Sequence, residues 1–119
     1  MSRWEMEIDM CCDDQVRSLY DVLMERKDSE GFKSGDIITS AIASAPFTES
    51  LFDSLRLYVR INEDNRVELI GRISDWQADR GYYGSDTHIH DFKDINECIN
   101  WLGCSSSASD YCTEAFLKR

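Results

Sequence analysis

The chain has 119 residues, 42% of them apolar and 30% charged, a length and balance expected of one small globular domain (1–119). One proline and six glycines exclude collagen-like and disorder-dominated classes. Twenty-three acids against 13 bases leave a net charge of −10, which argues against direct nucleic-acid binding.

No apolar run approaches the roughly 20 residues of a membrane span. Met1–Glu7 lacks the apolar core of a secretory signal, so the expected location is cytoplasmic. The five cysteines, Cys11, Cys12, Cys98, Cys104 and Cys112, form no CxxC and are odd in number. They are expected as free, partly buried thiols in a reducing compartment. Vicinal Cys11 and Cys12 read as small residues at an element junction rather than a redox or metal pair.

In chain order, Trp4, Met6, Ile8 and Met10 alternate with Arg3, Glu5, Glu7 and Asp9, so residues 3–10 read as a half-buried strand. Asp13 or Asp14 offers a cap for an amphipathic helix over 14–27, carrying Val16, Leu19, Tyr20, Leu23 and Met24. Ser34 offers a second cap, and Ile37, Ile38, Ala41, Ile42 and Ala45 sit at helical spacing before Pro46.

The clearest element is a hairpin over 55–61 and 67–73. Keeping Leu55, Leu57, Val59 and Ile61 on one face with Val67, Leu69 and Ile73 requires odd positions to pair with odd ones. Asn62 must then pair with Arg66 around a three-residue loop, with Asn65 in the left-handed conformation. The outer face of this hairpin carries Arg60 opposite Glu68, Tyr58 opposite Ile70, and Arg56 beside Arg72.

Residues 74–86 read as a wide aromatic connection, followed by a third strand at Thr87–Asp91. Asp91 and Asp94 begin a helix bearing Ile95, Cys98, Ile99 and Leu102, with Gly103 as its stop. Ser107 and Asp110 cap a last helix carrying Cys112 and Phe116. The expected fold is α+β, in the order β-α-α-β-β-β-α-α. It comprises an antiparallel sheet, a meander over 55–91 plus the N-terminal strand, covered by about four helices.

Chemical motifs are sparse. GxxxxGK[ST], GxGxxG and GxSxG are all missing. His88 and His90, two apart on a strand, would share a face, with Cys11, Cys12, Asp86 or Cys98 as possible further metal ligands. This spacing is a weak metal signal, so no catalytic residue, metal or cofactor is assigned. A small metal- or thiol-dependent enzyme using His88 and His90 is an alternative, as is an oligomerising regulatory module.

The charge distribution says more. Residues 1–31 hold nine acids and four bases, 75–97 six acids and two bases, and 55–74 four bases and three acids. On a strand Glu5, Glu7 and Asp9 would form a row about 6.8 Å apart, near the spacing of nucleic-acid phosphates. Trp76, Tyr82 and Tyr83, with Asp79 and Asp86 beside them, are the best anchors for a basic partner.

The expected function is a small acidic inhibitor of a basic, nucleic-acid-handling enzyme. Size and charge are similar to those of immunity proteins against nuclease toxins and of phage inhibitors of CRISPR or restriction nucleases, an analogy of profile rather than motif. Membrane association is not expected.

Overall fold

The computed structural model describes residues 2–48, 51–77 and 81–118. Its elements are α1 (Arg3–Asp28), β1 (Ile37–Thr39), β2 (Ser54–Ile61), β3 (Val67–Gln77), β4 (Gly81–Phe92), α2 (Ile95–Gly103) and α3 (Ser105–Leu117). The class is α+β. The four strands form one antiparallel sheet in the order β1-β2-β3-β4, and the helices cover one of its faces.

The expected architecture is corrected at several elements. Among the described residues there are three helices rather than about four, and the N-terminal strand is absent. Residues 3–10 are the first turns of α1. Ser2 caps them by accepting from the Glu5 N–H at 3.2 Å, and the spacing of Ser2 and Glu5 is that of a capping box. Ile8, Cys11, Cys12, Val16, Leu19 and Leu23 then bury one helical stripe, while Met6 and Met10 face outward. The alternation of apolar residues at the N-terminus coincides with this stripe only at Ile8.

The expected helix before Pro46 is instead the edge strand β1 followed by irregular chain. Gly35 has φ +88°, outside the helical range, and Ile37 and Ile38 are β-branched. The Asp36 carboxylate accepts from the Lys33 N–H and from Arg26, which closes the preceding loop. β1 pairs Ile37, Ile38 and Thr39 with Arg60, Val59 and Tyr58. The Ser40 N–H still donates to the Leu57 carbonyl at 3.1 Å, after which the chain leaves the sheet and touches it again where Ser44 bridges Leu55.

The hairpin register agrees with the reading of the sequence. Arg60 pairs with Glu68, Tyr58 with Ile70 and Arg56 with Arg72. The Asn62 N–H donates to the Arg66 carbonyl, and Asn65 has φ 64°. The third strand is far longer than expected, because 74–86 is mostly paired strand rather than open connection. β2 starts at Ser54 opposite Ser74, so residues 75–77 and 81–83 run past it as a two-stranded ribbon.

The inner face of the sheet, with Leu55, Leu57, Val59, Leu69 and Ile73, packs on Ile8, Val16, Leu19, Cys98, Leu102 and Phe116 in one cluster. Gly71 stands where a Cβ would lie 2.2 Å from the Phe116 ring, so that ring packs directly on the β3 backbone. Asp94 caps α2 by accepting from the Glu97 N–H at 2.9 Å. The last helix starts earlier than expected, at Ser105, and no side chain caps it. No helix among the described residues is long and apolar enough to cross a membrane.

Candidate functional site

The long first helix carries an exposed, mostly acidic surface. Its inner stripe faces the core, and α3 covers one flank, where Ser109 donates to Asp13 and Thr113 to Asp9. Residues 40–48 cover the other flank: the Ala41 N–H donates to Ser18, and the Thr48 N–H and hydroxyl donate to Glu7 at 3.0 and 3.1 Å. Between these flanks runs a solvent-facing strip of Met6, Met10, Asp14, Arg17, Asp21, Glu25 and Asp28, all exposed. The three- and four-residue steps align these side chains along one line. The acids from Asp14 to Asp28 span about 21 Å at 1.5 Å per residue. Arg17 is the one base in that span of the strip, and it is tied to Asp13 at 3.1 Å.

The expected row of Glu5, Glu7 and Asp9 does not exist. On a helix these residues point in three directions. Glu7 is buried and anchors Thr48, and Asp9 is half-buried and holds Thr113. The N-terminal end of the strip is apolar: Met6 is 52% exposed and Met10 48%, and Phe47 is 80% exposed.

The aromatic candidates fall on the β3–β4 ribbon, where the backbone register sets Tyr82 opposite Trp76 and Tyr83 opposite Asp75. The side chains of these three aromatic residues, and the whole of Asp79, lie outside the described residues. Asp86 is exposed but engaged within the molecule. It accepts from Arg72 Nε at 2.8 Å and Nη2 at 3.3 Å, and from the Tyr58 hydroxyl at 3.2 Å.

His88 and His90 do not share a face. A β-bulge shifts the β3–β4 register, so Leu69 pairs with His90 and Ile70 with His88, leaving Ile89 unpaired. Ile89 joins the core, and His90 packs on Trp101 and Tyr111 with centroids 5.4 and 5.1 Å away. His88 turns to the open sheet face, with Nδ1 2.7 Å from Glu68 and Nε2 3.5 Å from Asp91. Glu68, His88 and Asp91 bring one ligand-type atom each within 4.8 Å. That grouping needed a residue from another strand and the bulge, neither of which the His-x-His spacing reveals. Arg60 holds the second Glu68 oxygen, which places a positive charge beside the trio and leaves it a hydrogen-bonded network.

All five cysteines are free thiols. Cys11 and Cys12 lie inside α1 rather than at a junction. Burial, with Asp14 and Glu7 adding, pushes Cys11 up to about 11, and burial drives Cys12 further up. Burial likewise raises Cys98 and Cys112 to about 12. Such thiols stay protonated at neutral pH and are poor nucleophiles. Cys104 alone is exposed.

Comparison with known protein families, curated proteins and solved structures found no match to this chain.

Proposed function

We propose that this protein is a small acidic binding protein that inhibits a basic, nucleic-acid-handling enzyme by covering its positively charged surface. The observation that carries the reading is the α1 strip, where Asp14, Asp21, Glu25 and Asp28 stand exposed in one line. A rigid helix keeps these carboxylates in place without the ordering cost that a flexible acidic tail would incur on binding.

Aligned acids raise the encounter rate with a positive cleft and disfavour neutral or acidic partners. Met6 and Met10 extend the strip with apolar surface that a partner can desolvate, the usual source of affinity within a polar rim. The enzyme would be blocked by occlusion, with no chemistry asked of the inhibitor. Immunity proteins and phage counter-defence inhibitors are the functional types that this reading favours. No cofactor is invoked.

The test is affinity capture from the native host, identification of the bound enzyme, and association kinetics with that purified enzyme across a salt series. An on-rate falling at least ~10-fold between low and moderately high salt supports the reading. A salt-insensitive on-rate, or retained enzyme activity in the saturated complex, overturns it.

A further inference from the structure

The open face of the sheet is built in rungs across the strands, and one rung breaks the rule of opposite charges. Arg60 faces Glu68 in the usual way. Arg56 instead faces Arg72 directly across β2 and β3. Like charges opposite each other destabilise a strand pair. Arg72 is relieved by Asp86, its partner on β4, through a two-pronged contact. The Tyr58 hydroxyl also donates to Asp86, so that carboxylate is fully engaged. Arg56 receives no such relief and makes no ion pair among the described residues.

The two guanidinium-bearing side chains line a half-open groove of about 470 Å³ on this face, together with Ile37, Ala43, Tyr58 and the hydroxyl residues Thr39, Ser54 and Ser74. This volume lies in the range of small-molecule sites. A guanidinium fork matches the oxygens of a phosphate, and hydroxyl groups supply further donors to them. No carboxylate lines the groove itself; Asp86 sits beside it, bound to Arg72 and Tyr58.

From this groove we infer a binding site for a small phosphate-bearing molecule, with Arg56 as the cation that binds it and Thr39, Ser54 and Ser74 as donors, while Arg72 stays paired with Asp86. The phosphate supplies the counter-charge that Arg56 lacks. The site lies on the sheet face, whereas the acidic strip lies on the helical side, so it stands or falls independently of the inhibitor reading.

The experiment is a nuclear magnetic resonance titration of the full chain with inorganic phosphate, then with a nucleoside 5′-monophosphate and a sugar phosphate. Expected are saturable shifts of the Arg56, Tyr58 and Ser74 amides at up to roughly 20 mM ligand. They should weaken at least ~5-fold in Arg56→Ala and persist in Arg66→Ala, whose arginine is exposed on the hairpin loop. Tighter binding of either monoester than of inorganic phosphate identifies an organic phosphate as the ligand, and equal binding identifies phosphate itself. Circular dichroism establishes that both variants fold; should Arg56→Ala fail to, Arg56→Gln takes its place. Absence of saturable shifts, or equal loss in the Arg56 and Arg66 variants, overturns the assignment.

Discussion

Gln15 completes the sheet at Leu57. Its side-chain carbonyl accepts the Leu57 N–H at 2.8 Å just past the end of β1, where the edge chain supplies only the Ser40 N–H, bonded to the Leu57 carbonyl at 3.1 Å. The Ser40 hydroxyl donates to the same oxygen, while the amide nitrogen donates to the Ile42 carbonyl at 2.8 Å and the Ser44 hydroxyl at 2.9 Å. A wholly buried helix side chain thus stands in for a strand, with all its principal hydrogen-bonding groups used.

Replacing Gln15 with leucine should therefore cost about 2–4 kcal/mol, since it leaves the buried Leu57 N–H without its acceptor and the Ile42 carbonyl with only the Ser40 hydroxyl as donor. The loss will be visible as a lower midpoint in urea unfolding. A variant as stable as the wild type would mean that the buried network contributes nothing net.

Gly71→Ala should destabilise by about 1–3 kcal/mol, because the new methyl would meet the Phe116 ring at 2.2 Å and displace it from its place on the sheet. Pairing it with Phe116→Leu should recover part of the loss if the clash is the cause. Thermal unfolding of the two single variants and the double variant measures that coupling.

Stability should hold a plateau and fall on both sides. Hydrogen bonding from Arg60 holds Glu68 below its ordinary 4.5, and the Lys33 N–H, then Arg26, hold Asp36 below 3.8. Depressed carboxylates stabilise above their unfolded values, and that contribution is lost as pH falls further. The buried thiols have the opposite sign: raised above 9.0, they stabilise below that value and lose the contribution as pH rises past it. Unfolding free energies from pH 3 to 10 should show both limbs, and Glu68→Gln should make the acid limb shallower.

Alkylation of the native protein at neutral pH should label Cys104 quickly and the four buried cysteines only on the timescale of opening. Intact mass spectrometry reads this as one early addition. Rapid labelling at several thiols would contradict the packing of α1 against α3.

The hairpin was legible because its two-residue period, its parity and Asn65 all specify one register, and Asp94 announced α2 in the same local way. Other elements depend on distant partners. Residues 37–45 have helical spacing, yet Ser40, Ile42 and Ser44 are held by Gln15 in α1. At the N-terminus, the alternation of Trp4, Met6, Ile8 and Met10 concealed a helix whose capping signal, Ser2 with Glu5, was present in the sequence. That misreading also misplaced the acidic surface, moving it from the exposed Asp14–Asp28 line to Glu5, Glu7 and Asp9. The separation of His88 from His90 rests on the Ile89 bulge, which no spacing rule reveals.

Whether the exposed carboxylates of α1 make the inhibitory contact is tested most directly by neutralising them. Association kinetics with the captured enzyme should be compared between the wild type and the combined Asp14→Asn, Asp21→Asn, Glu25→Gln variant at low salt. The account predicts an on-rate reduced by roughly 10-fold or more, with the gap closing at high salt and the fold unchanged by circular dichroism. An unchanged on-rate in the folded variant would contradict it.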